Sequence, residues 1–154
     1  MSEIRNAQPA DLDGLIRLEH ACFPAADVFS RRQYRALLNN PRAIIRLIGP
    51  IGSPAAAATV LRRQTPGGLS ARLYSIAVDP DHRGQGLAKQ LLADVIAQCR
   101  RAGVARLRLE VRSDNESAIG LYRNFGFTIH RHLPDYYEPG AHGVKMVLEL
   151  GRRP

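Results

Sequence analysis

The chain has 154 residues and a formal charge of +8, from 22 basic and 14 acidic side chains. That length closes one substantial core and predicts a single domain over residues 1–154, with no repeat or low-complexity tract. No stretch is apolar enough for a membrane span and no apolar run follows a basic patch at the start, so a cytoplasmic protein is expected.

In chain order, Glu3 to Gln8 alternates and predicts a first strand. Leu12, Leu15, Ile16 and Leu18 recur at helical spacing, with Pro9 suited to the opening turn. Ser30 and Gln33 form a capping-box pair that starts a second helix to about Leu38, and Asn39-Asn40-Pro41 ends it. "RAIIRLIG" and "AAAATVLRR" read as strands joined by the hairpin signal "PIGSP". "SARLYSIAV" is a fourth strand after the turn "QTPGG". A helix from about Gly86 to Ala102 follows, with Gly103 as its left-handed C-terminal residue. "VARLRLEVR" alternates strictly and is a fifth strand. Asp114 or Asn115 caps a short helix through Phe125, Gly126 closes it, and "FTIHRHL" and "GVKMVLEL" finish as strands. This order predicts a mixed α/β sheet whose fourth and fifth strands, linked by the long helix, are able to run parallel.

Cys22 and Cys99 fall in separate helices and read as small buried residues of a reducing compartment. The pairs Arg31-Arg32, Arg62-Arg63, Arg100-Arg101 and Arg152-Arg153 fall in four separate elements without interleaved aromatics. Solvated faces and one anion site account for them better than a nucleic-acid stacking platform does.

The anion site is suggested by "VDPDHRGQGLAKQLL". A helix N-terminus offers unpaired N–H groups and the positive end of the helix dipole. Gly84 and Gly86 let an oxygen-rich ligand approach the backbone, and Arg83 and Lys89 add charge. The glycines alone are equally compatible with a tight strand-to-helix connection.

The wording around them is more specific. Arg83-x-x-Gly86-x-Ala88 after an apolar strand, followed by "NESAIGLYRNFGF", resembles the two linked motifs of the GNAT N-acetyltransferases. The resemblance follows the whole chain in element order and is greatest with the ribosomal-protein alanine N-acetyltransferases. It implies a mixed central sheet of about seven strands with about four helices, the fourth and fifth strands splayed. It also implies acetyl-CoA as cosubstrate, with no metal. Its pyrophosphate would lie on the backbone of Arg83, Gly84, Gln85, Gly86, Leu87, Ala88 and Lys89, and its pantetheine arm along Ile76, Ala77 and Val78. Asn115 reads first as a helix cap, and the resemblance adds a contact to the same arm.

Acetyl transfer to an amine needs a neutral amine, a polarised carbonyl, a protonated leaving thiolate and two reactants held together. By alternation Glu110 belongs to a polar ladder with Arg108 and Arg112, and by resemblance it is the general base. Tyr122 reads as a core aromatic of its helix face, and by resemblance it protonates the thiolate. A backbone N–H near Ala77-Val78 is the implied oxyanion donor. The resemblance also places Tyr136 and Tyr137 at the opening of a loop that grips the acceptor. His130 and His132, two apart on a strand and followed by His142, share a face but lack the cysteines or carboxylates of a metal site. The implied acceptor is the N-terminal amine of a protein such as a ribosomal protein. A small amine (polyamine, aminoglycoside or amino acid) stays open, as does a non-catalytic acyl-CoA-binding or nucleic-acid-binding module.

Overall fold

The computed structural model describes residues 3–151. In chain order the elements are β1 (Ile4–Asn6), α1 (Leu12–Cys22), α2 (Arg31–Leu38), β2 (Ala43–Ile48), β3 (Ala56–Thr65), β4 (Gly68–Val78), α3 (Leu87–Arg101), β5 (Arg106–Arg112), α4 (Glu116–Asn124), β6 (Thr128–Glu138) and β7 (Ala141–Glu149). The expected opening turn at Pro9 is a separate 3-10 turn, Pro9–Asp11, ahead of α1. The capping box of α2 forms as expected, with the Gln33 amide donating to Ser30 Oγ at 3.1 Å and the Ser30 amide to Gln33 Oε1 at 2.8 Å.

All seven strands join one sheet in the order β1-β2-β3-β4-β5-β7-β6. Every neighbouring pair is antiparallel except β4 and β5. These two run parallel only from Ser70–Arg72 against Arg106–Arg108, and then part. The rest of β4, to Val78, and of β5, to Arg112, is therefore not paired across the gap. A bulge contributes to the parting. Thr59 faces Ser75 and Val60 faces Leu73, so Tyr74 is an extra residue in β4 and bends the strand.

The sheet separates two cores. On one face, Leu87, Leu91, Leu92, Val95, Ile96 and Cys99 of α3 recur at helical spacing and are buried with Leu107, Leu109 and Val111 of β5 and Tyr122 of α4. On the other, α1 and α2 bury Leu15, Leu18 and Tyr34 against Ile45, Leu47, Ala57 and Ala77. Alternation along β5 consequently turns Glu110 away from the core that holds Tyr122.

β6 is longer than expected. It continues through Pro134 to Glu138, so Tyr136 and Tyr137 lie in a strand and not in a loop. The turn that follows is Pro139-Gly140. Asp135 makes the extension possible, adopting φ +53 within a register shift between Leu133 and Glu138 while its Oδ1 accepts from the Gly140 amide at 2.8 Å. A second shift between Ile129 and Arg131 leaves His130 out of register. The simple alternation that would put His130 and His132 on one face is thereby broken. Among the described residues no helix is long and apolar enough to cross a membrane. Arg152-Arg153 lie outside the described residues.

Candidate acyl-transfer site

At the end of β4 the chain makes a turn, Pro80–His82, and then enters α3 through Gly84 at φ +83 and Gly86 at φ +77. Both values are in the left-handed region, which strains other residues. A Cβ at either position would meet nothing within 4 Å, so the space over the turn is open. Gly86 is the N-cap of α3 and has no side chain to hold the first amides, which stay open at the positive end of the helix dipole. Leu87 turns its side chain into the core, Ala88 is half-buried, and Gln85 and Lys89 are exposed. What this turn offers a ligand is mainly backbone.

Arg83 folds back along the turn. Its Nε donates to the Val78 carbonyl at 3.3 Å, and a terminal nitrogen lies 3.8 Å from Cys22 Sγ. Cys22 Sγ donates to the same carbonyl at 3.2 Å. Cys22 is thus half-buried beside the turn, unlike Cys99, which is fully buried as expected. The Val78 carbonyl is already held twice, so Ile76 and Ala77 are left as the open part of the β4 edge. Burial pushes the Cys99 thiol up to about 11 and also raises that of Cys22.

Glu110 and Tyr122 lie on opposite faces of the sheet, Tyr122 in the core that α3 covers and Glu110 on the other face of β5. Tyr122 is packed edge-on to Phe127, with ring centroids 5.6 Å apart, and burial pushes its hydroxyl up to about 12. Glu110, with an 11 % exposed side chain, has Arg72 Nε at 2.8 Å from Oε1 and Arg108 Nε at 3.8 Å from Oε2. Arg72 lies over the Tyr74 ring at 4.4 Å, and Phe29 packs edge-on to Tyr74 at 5.1 Å. The polar ladder expected on β5 is therefore only half formed, because Arg112 turns elsewhere.

Arg112 donates from Nε and a terminal nitrogen to Asp27 Oδ2 at 3.0 and 2.9 Å. Its guanidinium carbon lies 4.5 Å from the centre of the Tyr137 ring, and Glu138 is 3.6 Å away. One side chain thus joins the α1–α2 segment to the end of β6. Gly143 of β7 makes room for the ring, since a Cβ there would stand 3.0 Å from Tyr137 Cε2. Tyr136 packs edge-on to Tyr137 at 4.9 Å and is itself 45 % exposed. Burial is the main cause that pushes the Tyr137 hydroxyl up to about 12, with charge on Asp27 and Glu110 adding to it.

Asn115 caps α4, its Oδ1 accepting from the Ala118 amide at 3.1 Å. That contact leaves the side-chain amide's two donors uninvolved in the cap. The histidines do not assemble: among the described residues no group of three or more His, Cys, Asp or Glu is gathered as a metal site requires. His142 instead accepts from the Asp135 amide at 2.9 Å.

Sequence reasoning missed Arg72, Asp27 and Glu138. It also missed Glu19, a buried carboxyl of α1 that accepts from Ser75 Oγ at 3.1 Å. For Arg72 one signal was available: parallel pairing of β4 with β5 puts it in register with Arg108, on the polar face of β5. Asp27 and Glu138 meet Arg112 only through tertiary folding and had no local signal.

The acetyltransferase (GNAT) family model matches residues 12–127. The [ribosomal protein bS18]-alanine N-acetyltransferase of Escherichia coli (strain K12) is 49 % identical over 70 residues, spanning 44 % of this chain and 45 % of that protein. The chain thus aligns with less than half the length of that relative. A putative enzyme of the same name from Bacillus subtilis (strain 168) is 32 % identical over 126 residues, 80 % of this chain and 78 % of that one. Among solved structures, the Escherichia coli ribosomal-protein-S18-alanine N-acetyltransferase superposes with a TM-score of 0.83 at 29 % identity, covering 100 % of this chain and 97 % of that chain.

Proposed function

As this chain belongs to the GNAT acetyltransferase family, we propose that it transfers an acetyl group from acetyl-CoA directly to a primary amine, with the N-terminal α-amine of a protein, such as a ribosomal protein, as the acceptor. The observation that carries this reading is the β4–β5 gap, with the uncapped N-terminus of α3 beside the end of β4 and Glu110 on the strand that borders the gap.

Acetyl-CoA supplies the activated thioester. The open amides of Gly84 to Lys89 receive its pyrophosphate, and the open space over Gly84 and Gly86 leaves room for that group. The β4 edge at Ile76 and Ala77 aligns the amide-bearing arm as an added strand would. Glu110 takes the proton of the acceptor ammonium, directly or through water. Tyr122 carries a proton that burial keeps in place far above neutral pH, available to the departing sulfur. Neither cysteine suits an acyl-enzyme, because burial disfavours both thiolates and Cys22 is engaged with the Val78 carbonyl. The acceptor enters between the α1–α2 segment and the β6 tyrosines, beside Arg112.

The test is release of free CoA by the purified chain, with a panel of N-terminal peptides and a panel of small amines. Transfer to peptides is expected. The proposal fails if calorimetry at millimolar acetyl-CoA shows no binding and no acceptor is modified.

A further inference from the structure

We infer that Arg72 is a binding residue for a carboxylate carried by the acceptor beside its amine, which makes the acceptor class an amino-terminal residue with an acidic side chain or a free amino acid. The inference rests on the acetyltransferase reading and adds the chemistry of the acceptor.

The placement of charge is the first ground. Arg112 is matched by Asp27 and Glu138. Nearer the gap, Glu110 faces Arg72 at 2.8 Å and Arg108 at 3.8 Å, and Lys145 is its register partner on β7 and shares its face. One carboxylate therefore sits among cations on β4, β5 and β7. Such a surround repels a purely cationic acceptor and favours one that brings an anion with its amine.

The quality of the Arg72–Glu110 contact is the second. The two groups are close, yet Arg72 Nε and Glu110 Oε1 are both buried without an aligned hydrogen-bond partner. A guanidinium presents five N–H donors in a rigid fork that suits a carboxylate held bidentately. Here the fork faces its neighbour out of line. An out-of-line buried pair recovers less of its desolvation cost than an aligned one, so less is lost when Arg72 exchanges it for a better-placed anion.

The third ground is preorganisation. Arg72 lies over the Tyr74 ring, and Tyr74 is braced by Phe29. The last parallel pair before the gap is Arg72 with Arg108, so the guanidinium stands where the strands begin to part. A carboxylate on the acceptor would take the fork of Arg72. Glu110 would then lose its nearest cation and be free to meet the acceptor amine, so that one exchange selects the acceptor and frees the base.

The experiment compares matched acceptors with the purified chain and acetyl-CoA, reading CoA release. One pair is a peptide beginning with Glu against the same peptide beginning with Gln, which probes a side-chain carboxylate. The other is free alanine against alaninamide, which probes the α-carboxylate. In at least one pair the acidic member is expected to have a kcat/KM about tenfold higher, and Arg72→Gln should reduce that preference to about twofold, mainly through KM. Acetyl-CoA affinity by calorimetry should be unchanged, which also checks that the variant is folded. Arg72→Lys, with the charge but not the fork, should keep the preference at reduced size, and it carries the test if the Gln variant does not fold. Wild-type preference for the neutral members, or an undiminished acidic preference in either variant, overturns the inference while leaving the acetyltransferase reading intact. No transfer to any of the four acceptors overturns the inference, and the acetyltransferase reading falls with it only if acetyl-CoA also fails to bind by calorimetry and no other acceptor is modified.

Discussion

The two ends of the candidate site are made of different material. The turn from Arg83 to Lys89 is a backbone site, whose left-handed glycines and uncapped helix amides all come from one continuous stretch. The acceptor end is a set of side-chain contacts between residues far apart in the chain: Arg72 with Glu110, and Arg112 with Asp27, Tyr137 and Glu138. A backbone site is specified by a local motif and tolerates many side chains. A side-chain site is specified by tertiary placement, and a change of one partner alters its chemistry. It follows that the first end should be common to many acceptors, and the second should decide among them.

Three substitutions separate the ends, in falling order of effect. Tyr122→Phe lies at the seam, where the proposed proton donor meets the leaving sulfur. Its kcat should fall about 100-fold, in the range for loss of a general acid, with acetyl-CoA affinity held within about twofold. Unchanged kcat would remove Tyr122 from the mechanism. Gly86→Val attacks only the backbone end. A β-branched residue at φ +77 costs about 1–3 kcal/mol of strain unless the turn rearranges, so acetyl-CoA should bind about tenfold more weakly by calorimetry with acceptor KM unaltered. Asp27→Ala attacks only the acceptor end, by releasing the α1–α2 segment from Arg112. Acceptor KM should rise about fivefold and acetyl-CoA affinity stay constant. Should Asp27→Ala weaken acetyl-CoA as much as it weakens the acceptor, the two ends are coupled and the division above is wrong.

The same division explains what could be read from the sequence. The helices, the succession of strands along the chain and the glycine turn follow from local periodicity and capping, as with the Ser30–Gln33 box and Asn115 on α4. The extension of β6 to Glu138 did not, because Pro134 and the positive φ of Asp135 look like a loop until β7 pairs beyond them. Glu110 was visible as an alternating polar residue beside Arg108, but its nearer cation, Arg72, was not. Alternation on one strand gives the face, whereas the partner depends on which strand lies alongside and in what register. Insertion of β7 between β5 and β6 likewise has no local signature.

Glu19 tests whether the acceptor end depends on what lies beneath it. The residue is 4 % exposed, and its carboxyl accepts from Ser75 next to the Tyr74 bulge and forms no salt bridge among the described residues. Burial raises its pKa above the ordinary 4.5, against the opposing Ser75 and Tyr34 hydroxyls. The folded state therefore keeps a proton that the unfolded chain has already released. Stability must then fall as pH rises from near the ordinary value through the folded one, with the full penalty present above it. Glu19→Gln removes this penalty while keeping an oxygen that accepts from Ser75. Its Tm should match the wild type at pH 4 and exceed it by a few degrees at pH 8, as thermal unfolding at both values would show. A variant less stable by the same amount at both pH values would mean that shape and packing at Glu19, not its charge, hold Ser75 and the bulge. Acetyl-CoA affinity should not move in either case, since among the described residues no side-chain hydrogen bond joins Glu19 to the turn from Arg83 to Lys89.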